Sequence, residues 1–129
     1  MKNYKLILQY DGTRYSGWQK QGNTDNTIQA KLETIASKLT GVPTDVNGSG
    51  RTDAGVHAFG QVANFRCEES ALPPRFLRSE ETVTDLIRDY FNNALPMDVR
   101  VLSVSEAPAR FHARLNAKEN KKELKRRIF

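Results

Sequence analysis

The ten residues Gly48-Ser49-Gly50-Arg51-Thr52-Asp53-Ala54-Gly55-Val56-His57 gather a carboxylate, a guanidinium, a hydroxyl and an imidazole among three glycines. Glycine permits positive φ and close backbone approach, so the stretch predicts a tight loop against which a ligand can press. Loops held by a rigid scaffold are where reactive and binding side chains concentrate. Two glycine motifs are excluded. No Lys-Ser or Lys-Thr pair follows, as a Walker loop requires, and Gly55 comes too late for a dinucleotide fingerprint. Asp53 and His57 alone supply two metal ligands at most, so no metal site is expected. The residue types leave two readings open: a reactive loop, or a polar turn that only caps its neighbours.

The elements around the loop set its frame. Residues 4–10 read as a strand with Leu6, Leu8 and Tyr10 on one face, ended by Asp11-Gly12. The polar stretch 12–24 mixes Arg14, Tyr15, Trp18, Gln19 and Lys20. Such interleaving of cations and aromatics suits RNA, with Trp18 as a core residue the alternative. Residues 27–40 read as a helix with Asn26 as N-cap, Gln29 in capping-box position, an Ile28-Leu32-Ile35-Ala36-Leu39 stripe and a stop at Gly41. Strands are expected at 44–48 and 58–66, on either side of the glycine-rich loop. Pro73-Pro74 marks a connection over 67–78. A second helix spans 80–94, with Ser79 as cap, Glu80 and Glu81 at its positive end, and Val83, Leu86, Ile87, Tyr90, Phe91 and Ala94 as its stripe. Residues 98–105 complete a β-α-β-β-α-β order. That order predicts an α+β, ferredoxin-like sandwich: a four-stranded antiparallel sheet with both helices on one face.

At 129 residues, 38% hydrophobic and 27% charged, the chain has the makings of one globular core. No apolar run approaches the ~18 residues of a membrane span, and the strand-like start argues against a signal peptide. The single Cys67 cannot form an internal disulfide, which fits a cytoplasmic protein. Residues 118–129 carry six Lys/Arg against two Glu, so four of the five net positive charges lie there. Such a tail suits a phosphate backbone or is a solvated terminus.

Gly50-Arg51-Thr52-Asp53-Ala54-Gly55-Val56-His57, followed by Ala58-Phe59-Gly60-Gln61-Val62-Ala63, closely resembles the signature of the tRNA pseudouridine synthase A family. Tyr10-Asp11-Gly12, Gly17-Trp18-Gln19 and Phe111-His112-Ala113-Arg114 are similar to other elements of that family, and the resemblance runs from Tyr4 to about Lys118. It implies isomerisation of uridine to pseudouridine in the anticodon stem-loop of tRNA, without cofactor or metal, by a cytoplasmic homodimer. It assigns the catalytic nucleophile to Asp53, and substrate binding to Arg51, Thr52, His57, Arg14, Gln19 and Arg114. The carboxylate either attacks the sugar covalently or removes a ribose proton to form a glycal. Arg51 either pairs with Asp53 or holds a phosphate. His57, His112 and Arg114 each have a structural alternative.

Beyond Lys118 the resemblance fails. The family continues with a Lys/Arg-x-Tyr-x-Tyr type segment whose first tyrosine stacks on the target base, and here Lys122 stands in that place. The family also continues into a second, similar half that contributes an active-site arginine. The expectation is therefore a catalytic domain over 1–106, then a connector and basic tail over 107–129, with 119–129 altered by a frameshift or premature stop. The rival readings are a catalytically incompetent fragment and a non-catalytic RNA-binding module using the 14–20 loop and the tail. Sheet surface left bare by a missing half should be apolar and prone to association.

Overall fold

The computed structural model describes residues 1–115, so Lys122 and the tail over 119–129 lie outside the described residues. The order is β1 (Lys2–Tyr10), a 3-10 turn (Gly12–Arg14), α1 (Ile28–Thr40), β2 (Asn47–Gly48), β3 (Ala58–Cys67), a second 3-10 turn (Glu69–Ala71), α2 (Pro74–Leu77), α3 (Val83–Ala94) and β4 (Val99–Ala107). The four strands form one antiparallel sheet in the order β2-β3-β1-β4. This is the expected ferredoxin-like α+β arrangement.

β1 is the central strand because its alternate residues Tyr4, Leu6, Leu8 and Tyr10 all need burial. They meet Phe65 and Ala63 of β3 and Val101 and Val99 of β4 across the ladders. The stripes of α1 and α3 cover this same face, forming one core with Ile28, Leu32, Ile87 and Phe91 fully buried. Two bulges bend the sheet: β1 shifts register against β4 between Ile7 and Leu8, and against β3 between Leu8 and Tyr10. The first bulge lets Val101 and Val104, three residues apart, both face the core, while Leu102 is exposed. The second does the same for Ala58 at the end of the glycine-rich loop and leaves Phe59 exposed.

Several local expectations are corrected. The N-cap of α1 is Thr27, whose hydroxyl accepts from Ala30 N, not Asn26. Gln29 closes no capping box; its carbonyl accepts from Lys20 N and its amide donates to Val46 O. α3 starts at Val83 with Thr82 as cap, so Ser79 and the glutamates precede it, and Ala94 is exposed while Leu95 is buried. Ser79 instead accepts from Glu81 N. The reason is local: both helices take a threonine hydroxyl three residues before the first free N–H, which satisfies that donor at the helix end. The strand expected over 44–48 pairs only at Asn47 and Gly48. The connection over 67–78 is partly helical, with Pro74 at the first position of α2, and buries Leu72 and Phe76.

The sheet's outer face is not the apolar surface expected. Register places Asn3 opposite Arg66 and Lys5 opposite Asn64, and only Ile7 opposite Val62 is an apolar pair. The edge strand β4 is guarded too: Asn92 of α3 exchanges two hydrogen bonds with the Val101 backbone, at 2.9 and 2.8 Å. Arg100 donates to Asn92 O, Leu95 O and Pro96 O, satisfying carbonyls at the end of α3.

The cap assignment has a direct check. Thr82→Ala should lower stability by ~1 kcal/mol in urea unfolding, whereas Ser79→Ala should stay within ~0.5 kcal/mol of the parent.

Candidate active site

Two loops interlock at one end of the sheet. Residues 11–19 leave β1, and residues 49–57 join β2 to β3. Trp18 N donates to Thr52 O at 3.0 Å, and Gly55 N donates to Tyr15 O at 3.2 Å. The Tyr10 and Thr52 hydroxyls hydrogen-bond at 2.7 Å. Gly12 N donates to His57 Nδ1 at 2.9 Å. The fit explains the glycines. A Cβ on Gly12 would meet the Val56 carbonyl carbon at 2.6 Å, and one on Gly17 would meet Thr52 O at 2.6 Å. Gly17 also holds φ at 93°, where a side chain is strained. Gly48 lies against the indole of Trp18, where a Cβ would stand 2.6 Å from Nε1.

The glycine-rich loop is therefore fixed along its length while Asp53 is left outward. Ser49 N donates to Val62 O, and Gln61 donates to Gly50 O at 2.8 Å. Val56 N closes a turn on Asp53 O at 3.1 Å, with Gly55 at φ 80°, the geometry of a type II turn with glycine in its third position. Asp53 is exposed, and its carboxylate has no hydrogen bond or ion pair among the described residues. Arg51, two residues earlier, is exposed as well and does not pair with it. The ion-pair alternative for Arg51 is thus not realised.

A cavity of about 500 Å³ opens beside this loop. Gly48 to Arg51, Trp18, Gln19, His112 and Arg114 line it, and Asp53 is not among the lining residues. Arg51 and Arg114 bring two guanidiniums, and no acidic residue is among the lining residues described. Such a hollow suits an anionic ligand that also offers polar edges to Gln19.

The remaining expected residues sit elsewhere. Thr52 is engaged with Tyr10. His57 lines a second hollow with Phe59, Met97 and Asp98. Its Nδ1 receives the Gly12 N–H, so the nearby Asp11 Oδ1, at 3.2 Å, makes no hydrogen bond to it in that tautomer. Asp11 instead accepts from the Thr13 hydroxyl and Thr13 N, and these bonds hold its pKa below the usual value. Arg14 directs Nε and Nη2 at Asp98 Oδ2, at 3.0 and 2.7 Å. Tyr15 donates to Asp98 Oδ1 at 2.8 Å, and Asp11 N to Asp98 O at 2.9 Å. Asp98 thereby fastens the first loop to the start of β4. Burial alone would raise the Asp98 pKa; the bonds from Tyr15 and Arg14, with the guanidinium charge, outweigh it and hold the pKa low. Burial and the bond to Asp98 push the Tyr15 phenol up to about 12.

The 12–24 stretch does not offer stacking aromatics. Trp18 is 3% and Tyr15 7% exposed, and Trp18 stacks on Tyr10 at 6.4 Å. Lys20 is paired with Glu33 at 2.9 Å. The loop's aromatic residues anchor it, and its free polar contribution to the cavity is Gln19. Reasoning from sequence missed Asn3, Asn64 and Asp98. The signal for the two asparagines was present, since an amide is unfavoured in the interior of a strand unless a partner requires it.

A fixed loop that leaves the Asp53 carboxylate unpaired among the described residues thus runs along a hollow lined by two arginines, on a ferredoxin-like sheet. Residues 6–116 match the tRNA pseudouridine synthase family, and the chain belongs to that family. It is 50% identical over 119 residues to the tRNA pseudouridine synthase A of Bacillus sp. (strain KSM-64), covering 92% of this chain and 44% of that protein. It is 47% identical over 118 residues to the tRNA pseudouridine synthase A 2 of Bacillus anthracis, with the same shares covered. The tRNA pseudouridine synthase A 1 of Clostridium tetani is likewise 47% identical over 118 residues, again 92% of this chain and 44% of that protein. The chain thus spans less than half the length of these relatives.

Two variants test the interlock. Gly48→Ala should destabilise the fold by ~1–3 kcal/mol in urea unfolding, because the indole beneath it is packed on both sides. Asp98→Asn should cost ~1–3 kcal/mol at neutral pH. Its parent carboxyl has a lowered folded pKa, so the stabilisation is present above the unfolded value and lost as pH falls through the folded one. The stability gap between parent and variant should therefore close below pH ~4; a gap unchanged at pH 2.5 to 3 would contradict the charged pairing.

Proposed function

We propose that this protein isomerises uridine to pseudouridine in the anticodon stem-loop of tRNA, with Asp53 as the nucleophile. The observation that carries the proposal is the exposed Asp53 carboxylate, without a partner among the described residues, on a loop whose backbone is fixed on both sides. The reaction breaks the bond between C1′ and N1 and joins C1′ to C5. N1 gains a proton and C5 loses one, so the formula is unchanged. An anion beside the sugar meets the requirement as a nucleophile toward C1′ or as a base toward a ribose proton. A serine or histidine does not substitute, because the group must be anionic near neutral pH and then leave again. The rest is positioning and exclusion of water.

A stacked uridine must be extruded to reach Asp53. Arg51 and Arg114 suit the phosphates flanking such a nucleotide, and Gln19 suits a base edge or ribose hydroxyl. Thr52 and His57 serve as anchors of the loop, and Arg14 acts through Asp98 and the first loop. Recognition of the stem rests on shape and backbone more than on base sequence. In this reading residues 1–106 are the catalytic domain, and 107–129 lead from it. The working form is a cytoplasmic homodimer, and the reaction draws on side chains without a metal or cofactor.

The test is pseudouridine formation in an unmodified tRNA transcript by the chain and by Asp53→Asn. The parent should form product, and the variant should lose ~10³-fold or more of the rate. Equal product from both would remove Asp53 from the chemistry. A folded parent that binds the transcript without forming product would favour the RNA-binding module, a reading that the chain's 44% share of its relatives' length keeps in play.

A further inference from the structure

Asn3 and Asn64 are 1% and 0% exposed, on the face of the sheet opposite the helices. A buried amide is costly unless its donors and acceptor are met. Here they are met by the backbone after β4. Asn3 Nδ2 donates to Pro108 O at 3.0 Å and to Phe111 O at 2.8 Å. Asn64 Nδ2 donates to Asn3 Oδ1 at 3.0 Å, and Asn64 Oδ1 accepts from Ala113 N at 2.9 Å. Arg66 adds Nη2 bonds to Ala109 O and Phe111 O, at 3.2 and 2.6 Å. The Lys5 ammonium lies 5.7 Å from the centre of the Phe111 ring. The two residues of this segment that line the cavity, His112 and Arg114, flank Ala113, whose N–H ends the amide relay.

We infer that Asn3, Asn64 and Arg66 are positioning residues: they fix the 108–113 backbone on the outer face of the sheet and so hold Arg114 at the cavity that Arg51 also lines, to receive an RNA phosphate. The inference rests on the proposed RNA function of the cavity. Its logic is geometric. β1 and β3 are the two inner strands and cannot shift without disturbing the core, so a segment hydrogen-bonded to their amides inherits their precision. Apolar residues would hold the segment by contact alone, without selecting one register of its carbonyls and N–H groups.

The experiment uses the full chain with an unmodified tRNA transcript, following affinity by fluorescence anisotropy across a salt series. Arg114→Gln should weaken binding about 5- to 10-fold and reduce the slope of log K against log salt by ~1, as loss of one phosphate contact does. Asn64→Leu should reproduce both effects although it removes no charge, and Asn64→Leu with Arg114→Gln should be no worse than either alone. Arg51→Gln in the Asn64→Leu background should still cost its full factor. Additive losses for Asn64→Leu and Arg114→Gln, or an unchanged salt slope in Asn64→Leu, would overturn the inference. If Asn64→Leu does not fold, Arg66→Met removes the bonds to Ala109 O and Phe111 O without touching the buried amides, and the same non-additivity with Arg114→Gln is required. If the parent chain binds no RNA, the proposed function fails. The inference is then read by hydrogen exchange, where the Ala113 amide must lose its protection in the variant and unaltered protection would overturn it.

Discussion

The interlock between the first loop and the glycine-rich loop is the constraint on which the site depends. It consists of few parts: a main-chain bond from Trp18 to Thr52, another from Gly55 to Tyr15, and an indole lying flat against the α-carbon of Gly48. Each requires the other loop to be in place. The outcome is a backbone that holds Asp53 still while leaving its carboxylate in solvent. A long flexible loop carrying the same residues would have to order itself around each substrate and lose that entropy every time. The glycines serve steric closeness here more than flexibility, because Gly12, Gly17 and Gly48 are each packed against a partner that a methyl group would displace.

The charges are divided by position. On the side of the second hollow, Arg14 and Asp98 neutralise one another and fasten the loop to β4. On the cavity side, Arg51 and Arg114 meet no carboxylate among the described lining residues. Ion pairing thus supports the frame, and cationic groups are left facing the cavity, open to an anionic ligand.

Much of this was legible in the sequence, and the reason differs by element. The faces of β1 and α1 follow from strict periodicity, and the buried sets Tyr4-Leu6-Leu8-Tyr10 and Ile28-Leu32-Ile35-Ala36-Leu39 agree with it. Asp53 was singled out by a long motif whose wording is specific, and geometry adds that its carboxylate is unpaired among the described residues. Helix starts were misjudged because Asn26 and Ser79 are as good caps by type as Thr27 and Thr82, and only the path of the chain decides between them. Trp18 and Tyr15 were ambiguous because exposure is a tertiary property; nothing within 12–24 says that Tyr10 and Gly48 wait beneath. The Asn3–Asn64 relay and the Asp98 anchor join residues dozens of positions apart, and no local pattern announces such pairs.

Those long-range links bear on the order in which the molecule can assemble. Tyr15 and Asp98 are 83 positions apart, and Asn3 and Phe111 are 108 apart. The central strand β1 precedes the other strands in the chain, yet Asn3 on its outer face is satisfied only by the carbonyls of Pro108 and Phe111. The first loop can interlock with the glycine-rich loop before β4 arrives, but its fastening to Asp98 has to wait for β4. Non-local closure of this kind slows folding, since the entropy of closing long loops is lost before the contacts compensate for it. During synthesis the nascent chain can form its α1–β1 hydrophobic contacts early, and the two loops can interlock once β3 is present, but the Asp98 clasp and the cover of the outer face form only when β4 and the segment after it have emerged. The clasp on the first loop is therefore among the last features to be set, and a chain that stops short of β4 has the interlock without the fastening that ties it to the sheet.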